Sequence, residues 1–168
     1  MAYQNHFIIA DDMINHLSSI INPQTDQFIS SRYIGFISVS AVTVYELALK
    51  EIFIDFAQKK HNVFGTYAKT HFDRINGRIK YKNIKDDYIK KFGDKYLKRY
   101  IKKMSLIEKD YLLTHHKSII TSYNNLITWR NDFAHEGNIP NTVTFDEVVE
   151  SYRLGKKLIK CVADTMIR

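Results

Sequence analysis

The stretch Ser38-Val39-Ser40-Ala41-Val42-Thr43-Val44-Tyr45 decides the fold, because its β-branched residues allow a strand while its surroundings argue for a helix. The apolar-rich segment around it runs from Thr25 to Lys60 without a turn signal, and Val39, Val42, Leu49, Phe53 and Phe56 keep near-helical spacing. A strand is usually about 5–6 residues long, so a continuous pattern of this length is a long buried helix.

Working outward, Phe7-Ile8-Ile9, Met13-Ile14, Leu17 and Ile20-Ile21 recur at three- and four-residue steps and predict a first helix ending at Asn22-Pro23. Beyond Lys60 the pattern fragments, with Gly65, Gly77, Asn83 and Gly93 separating short pieces. Two short helices, Asp86 to Phe92 and Asp94 to Met104, are expected there, each beginning on an acidic residue and ending among lysines, as the helix dipole favours. A further helix is expected from Leu106 to His135, stopped by Gly137, Asn138 and Pro140. A last one opens with the capping box Thr144-Phe145-Asp146-Glu147 and runs to the C-terminus. The expectation is one all-α domain over residues 1–168, an up-and-down bundle of about four long helices with a basic, short-helix insertion at about 61–105.

Composition agrees. Of 168 residues, 45% are apolar and 13% aromatic, with only 6 Gly and 2 Pro, which excludes disordered and collagen-like chains. The single Cys161 falls in the apolar pattern of the final helix, and no Cys/His spacing suits zinc. His115 and His116 are adjacent and point to different faces, a poor metal pair, and His6 and His16 read as ordinary helix residues. No P-loop, dinucleotide turn, nucleophile elbow or His-Glu-x-x-His is present, so the expectation is no metal and no cofactor. Nothing resembles a signal peptide or an 18-residue apolar run, and a cytoplasmic protein without a membrane span is the economical reading.

The net charge of +7 is not spread evenly: thirteen basic and four acidic side chains lie between Lys69 and Lys103, and the rest of the chain is slightly acidic. This segment predicts a polyanion partner. Arg74, Arg78, Lys80, Lys82, Lys85, Lys95, Lys98, Arg99 and Lys102, with Lys90, Lys91 and Lys103 among them, would neutralise RNA phosphates. The interleaved Tyr81, Tyr88, Tyr96 and Tyr100 would stack on unpaired bases, the alternative being a solvated helical surface on which Tyr96 and Tyr100 pack inward.

Chemistry concentrates in Trp129-Arg130-Asn131-Asp132-Phe133-Ala134-His135-Glu136-Gly137. An Arg with a His five positions later arises about 0.3 times by chance in a chain of this composition, so the spacing alone proves nothing. On a helix, Asn131 and His135 share a face, and the amide would orient the imidazole. Arg130 continues the apolar row Tyr123, Leu126, Ile127, so it needs an acidic partner, a polar cleft or a second subunit. Glu46 is the candidate partner, with an ordinary i,i+4 pair to Lys50 as its alternative. His135 lies in the last helical turn, where the dipole favours imidazolium and so suits proton transfer; beside Arg130 it matches what metal-free RNA cleavage needs. The plainer alternative is a C-cap histidine beside a structural salt bridge.

The string from Arg130 to Gly137, late in an all-α chain and followed by one helix, resembles the signature of the HEPN (higher eukaryote and prokaryote nucleotide-binding) superfamily, with weaker likeness around Val42 to Lys50. The resemblance implies that Arg130 and His135 are catalytic, with Asn131 grouped with them as a support; Glu46, as the candidate partner of Arg130, and Asp132 are expected as further supporting residues. It also implies a homodimer whose two motifs face each other in one composite, metal-independent ribonuclease site, of the kind found in toxin–antitoxin and anti-phage defence loci. HEPN toxins regulated by a nucleotidyltransferase carry a Tyr two residues after the His; Gly137 stands there, which speaks against AMPylation and leaves a protein antitoxin of another kind. The leading expectation is an endoribonuclease acting by 2′-hydroxyl attack. The alternatives are a non-catalytic dimeric module binding RNA or a partner protein, and an adaptor for acidic surfaces.

Overall fold

The structure is a computed structural model, and it describes residues 2–21, 25–137, 139–140 and 142–166. All of its regular elements are helical: α1 (Phe7–Ile20), α2 (Gln27–Lys60), α3 (Asn62–Phe72), α4 (Asp94–His115), α5 (Ile119–Glu136) and α6 (Phe145–Met166), with tight helical turns at Ala2–His6, Asn83–Tyr88 and Ile89–Phe92. The all-α bundle read from the sequence is the fold.

α2 is its axis. The stretch that allowed a strand is helical because it is enclosed: Ile37, Ser38, Ala41, Val42, Val44, Tyr45, Ala48 and Leu49 are all buried, and α1, α3, α5 and α6 all pack on this one helix. At about 1.5 Å per residue, its 34 residues span about 50 Å. Asp26 starts it, its carboxylate accepting from the Phe28 and Ile29 amides at 2.9 and 3.3 Å. The two buried hydroxyls of its middle are both satisfied, Ser38 donating to the Ile34 carbonyl at 3.0 Å and Tyr45 to the Tyr152 carbonyl at 2.5 Å, so neither is stranded. α1 lays Phe7, Ala10, Ile14 and Leu17 against the core; Ile8 and Ile9, read as part of its apolar face, are exposed, because α1 meets its neighbours along one stripe. Ile20 ends it, and the Asn22-Pro23 stop signal lies outside the described residues.

The insertion differs from expectation. His61 breaks α2 in an extended conformation, its ring nitrogen accepting from the Val63 amide, and α3 folds back on α2 with Gly65 inside the helix rather than at a break. Asp86 to Phe92 forms π and 3₁₀ turns instead of an α-helix. An aromatic cluster holds the segment down: Phe53 of α2 stacks on Phe72 at 4.8 Å and on Phe92 at 5.5 Å, and Phe72 meets Tyr88 at 5.6 Å.

The second correction concerns the expected Leu106 to His135 helix. α4 runs without interruption through Ser105 to His115, and the break falls at residues 116–118, where His116 takes a left-handed conformation (φ 54°). Ser118 caps α5 by accepting from the Thr121 amide at 3.0 Å. Glu108 of α4 accepts from the Ile119 and Ile120 amides at 3.0 and 3.2 Å and from the Ser118 hydroxyl. The first turn of α5 is thus fully satisfied, which makes a break here cheap.

α5 and α2 run antiparallel, Phe133 lying on Gly35 and Tyr123 stacking on Tyr45 at 5.5 Å. α6 closes the bundle. Thr144 accepts from the Glu147 amide at 3.2 Å as the capping signature requires, and Val148, Tyr152, Leu158, Cys161 and Val162 are buried. No described helix is long and apolar enough to cross a membrane.

Candidate active site

The last turns of α5 are positioned by α2. Phe133 occupies the space left by the missing side chain of Gly35, and its ring meets Phe36 edge-on at 5.5 Å. Gly137 ends the helix in the left-handed conformation (φ 68°), its amide donating to the Phe133 carbonyl at 3.0 Å. Its own carbonyl accepts from Arg32 Nη1 at 2.6 Å, and the Arg32 guanidinium lies 4.8 Å over the Phe28 ring. Sequence reasoning missed Arg32. It lies 105 residues from Gly137, and only the antiparallel packing of α2 and α5 brings a cation to this helix end.

Arg130 is half-buried. Its Nη1 donates to Asn131 Oδ1 at 2.9 Å, so the amide expected to orient His135 holds Arg130 instead. The guanidinium lies over Gly77: a Cβ built there would stand 3.2 Å from Nη1 and 3.4 Å from Nη2. Gly77 also needs its positive φ of 75°, so two independent constraints favour glycine at this position.

Glu46 does not pair with Arg130. Its carboxylate accepts from the Gly77 amide at 2.6 Å and bridges Lys50 at 2.8 Å, so the i,i+4 pair forms, half-buried under the loop rather than on a solvated face, and Glu46 is linked to Arg130 only through Gly77. Lys50 in turn reaches the Asp73 carbonyl at 3.4 Å, and α2 therefore clasps the 73–77 loop at both ends. Among the described residues, Arg130 has no carboxylate partner.

His135 is exposed, with no hydrogen bond among the described residues, and Asp132 is half-buried with none either. Arg130 and His135 are five residues apart, which puts them about 140° apart around the helix. One copy of the chain therefore presents them in different directions. Among the described residues no three His, Cys, Asp or Glu side chains gather as a metal site.

The basic segment splits into groups. Arg74 and Arg78 lie on either side of Gly77 and line one cavity with His71 and Lys91. Lys80, Lys82, Lys95, Lys98 and Lys102 are exposed, while Lys85 is half-buried beside Asp86 at 3.5 Å. Arg99 reaches the Thr165 carbonyl at 3.4 Å and Lys103 the Asp164 carbonyl at 2.7 Å, so these two close the C-terminal end of α6. The tyrosines expected to stack on bases are packed inward. Tyr88 and Tyr100 are core residues, Tyr96 meets Phe56 edge-on at 5.1 Å, and Tyr81 is half-buried near Tyr100. Burial, then the charge of Asp87, pushes the Tyr88 hydroxyl up to about 12, and it donates to the Arg78 carbonyl at 2.6 Å.

No curated protein and no solved structure matches the chain. A family model does: RiboL-PSP-HEPN, over residues 5–168. That match covers nearly the whole chain, including the helical frame and the α5 terminus that carries Arg130 and His135, and the chain belongs to this HEPN family.

Proposed function

We propose that the chain is a metal-independent endoribonuclease of the toxin or defence type, acting as a homodimer. Membership of a HEPN family supports an RNA-related role. The observation that carries the reading is the state of Arg130: a half-buried guanidinium, steadied by Asn131 and fitted over Gly77, with no carboxylate among the described residues to neutralise it. Such a cation is suited to a phosphate that becomes more negative during reaction.

In the proposed reaction the 2′-oxygen attacks phosphorus and the bond to the 5′-oxygen breaks. The products are a 2′,3′-cyclic phosphate and a 5′-hydroxyl. One imidazole takes the 2′-hydroxyl proton and an imidazolium returns a proton to the leaving oxygen, so His135 serves as base, acid or both. Arg130 carries the charge of the phosphorane. Because one copy aims Arg130 and His135 apart, the working site needs residues from two copies. Phe28, Ile29 and Phe36, which are 65%, 44% and 50% exposed beside Arg32 and Phe133, offer an apolar face for the second copy.

The test is cleavage of total RNA in EDTA by wild type, Arg130→Ala and His135→Ala, with end-group analysis and light scattering. Cyclic-phosphate ends from a wild-type dimer alone support the reading. Equal cleavage by all three overturns the site assignment. Tight RNA binding without turnover overturns catalysis and favours a binding module.

A further inference from the structure

The 73–79 loop that receives Arg130 also forms one wall of a cavity of about 540 Å³, lined by Tyr67, His71, Arg74, Arg78, Asp87 and Lys91 among others. Three permanent cations face one carboxylate there. None of Arg74, Arg78 and Lys91 has an ion-pair partner among the described residues, and Asp87 accepts from Asn83 Nδ2 at 2.8 Å. Lys91 Nζ lies 3.3 Å from His71 Nε2, a contact that requires a neutral imidazole, and burial followed by the Lys91 charge lowers the His71 pKa from 6.5. Three cations set against one carboxylate leave a net positive cavity whose cations repel one another, and an anionic ligand turns that repulsion into binding.

The cavity is also held in shape. Ile75 is buried, the Tyr88 hydroxyl fixes the Arg78 carbonyl, and the Glu46 and Lys50 contacts fasten the loop to α2. The backbone that carries Arg74 and Arg78 is thus fixed before a ligand arrives, and the exposed side chains are what a ligand would order. The volume falls within the usual range for small-molecule sites, about 300–1,000 Å³, and exceeds what a lone phosphate fills. Tyr67 supplies what a nucleoside would use: it is 69% exposed, and its ring lies within 4° of parallel to His71. A flat, open aromatic face beside clustered cations is the chemistry of a base with its phosphate.

We propose that this cavity is a mononucleotide site, with the phosphate held by Arg74, Arg78 and Lys91 and the base stacked on Tyr67. The nucleotide is either free or one unit of an RNA strand. The assignment does not rest on cleavage, because neither Arg130 nor His135 lines the cavity.

The test follows the His71 ring resonances by NMR in the full chain while adenosine 5′-monophosphate, inorganic phosphate or an uncleavable 2′-O-methyl decanucleotide is added. The mononucleotide is expected to shift them saturably, with a Kd at least tenfold below that of phosphate. Arg74→Gln with Lys91→Gln should raise that Kd tenfold or more. Tyr67→Ala should weaken the mononucleotide and leave phosphate unchanged. A decanucleotide at least a hundredfold tighter than the mononucleotide identifies a strand as the natural source; a mononucleotide that binds as tightly identifies a free nucleotide. Mononucleotide and phosphate acting alike, with no effect of the three substitutions, would overturn the proposal. A wild-type chain that binds the mononucleotide but cuts no RNA in EDTA tells against the ribonuclease reading alone, and a wild-type chain that cuts RNA but binds no mononucleotide tells against the cavity alone.

Discussion

Replacing Gly35 by alanine sets a methyl group against the Phe133 ring, the residue that seats the motif end of α5 on α2. An ideal Cβ at Gly35 would lie 2.2, 2.3 and 2.5 Å from three ring carbons. Carbon atoms rest about 3.5–4.0 Å apart, so the ring must retreat by more than about 1 Å. It has little room, since the Phe36 ring stands edge-on at 5.5 Å and the Arg32 guanidinium lies 6.0 Å above it. Overpacking of this kind costs about 1–3 kcal/mol, and three short contacts place it near the upper end. Alanine recovers about 0.5–1 kcal/mol of helix propensity, leaving a net loss of about 2 kcal/mol. For a chain of this size that lowers Tm by about 4–8 °C, read by thermal unfolding in circular dichroism. The discriminating result comes in a Phe133→Ala background. There the ring is gone, only the propensity gain remains, and Gly35→Ala should stabilise by about 0.5–1 kcal/mol. A substitution that is neutral in the wild type, or equally harmful in both backgrounds, would refute the reasoning.

Gly77→Ala combines a left-handed residue, at about 1–2 kcal/mol, with a Cβ 3.2 Å from Arg130 Nη1, so both Tm and RNA cleavage should fall, the latter tenfold or more; unchanged cleavage kinetics would separate the loop from the site. Ser118→Ala removes the α5 cap and should cost about 1 kcal/mol, or about 2–4 °C in the same melt. Tyr88 has its hydroxyl pKa raised from 10.0 to about 12, so its neutral form is favoured in the folded chain; that stability is complete below pH 10 and disappears as pH rises through 12. Tyr88→Phe should flatten the alkaline limb of the unfolding profile.

The helical frame was legible where one helix face carries one environment. α6 shows its capping threonine and its apolar stripe in order, and α2 is legible from its uninterrupted length together with the near-helical spacing of Val39, Val42, Leu49, Phe53 and Phe56. Boundaries failed where long-range contacts decided them. The break at residues 116–118 depends on Glu108 reaching the amides of Ile119 and Ile120, and the apolar residues on both sides of Ser118 concealed it. α3 was hidden by Gly65, which reads as a breaker but serves as the point where α3 approaches Gln58. The Arg130 to Gly137 string was legible because its residues are local. Its supports were not: Arg32, Gly35 and Gly77 lie on two other segments. The tyrosines of the basic segment misled because charge pattern says nothing about which side of a short turn is buried, and the aromatic cluster around Phe53, Phe72 and Phe92 claims that side.

The direction of Arg130 has a consequence for how two copies would share the work. Long side chains on a helix lean toward its N-terminus, and α5 runs antiparallel to α2. Arg130 therefore leans along α2 toward Glu46, where the Gly77 amide is held. His135 lies about 7.5 Å farther along the axis in the opposite sense and about 140° around it. The two side chains thus start from different sides of α5, and the proposed site pairs Arg130 of one copy with His135 of its partner. Arg130→Ala and His135→Ala, each inactive alone, should complement when refolded together. Half of randomly paired dimers would be mixed, and in each of these one of the two symmetry-related pairings of Arg130 with the partner's His135 is intact while the other has lost both residues, so activity should recover to about a quarter of wild type. Recovery should require dimerisation and vanish on dilution below the dimer Kd. Mixtures that stay silent while light scattering shows exchanged dimers would place Arg130 and His135 in the same copy's site, against the geometry of α5.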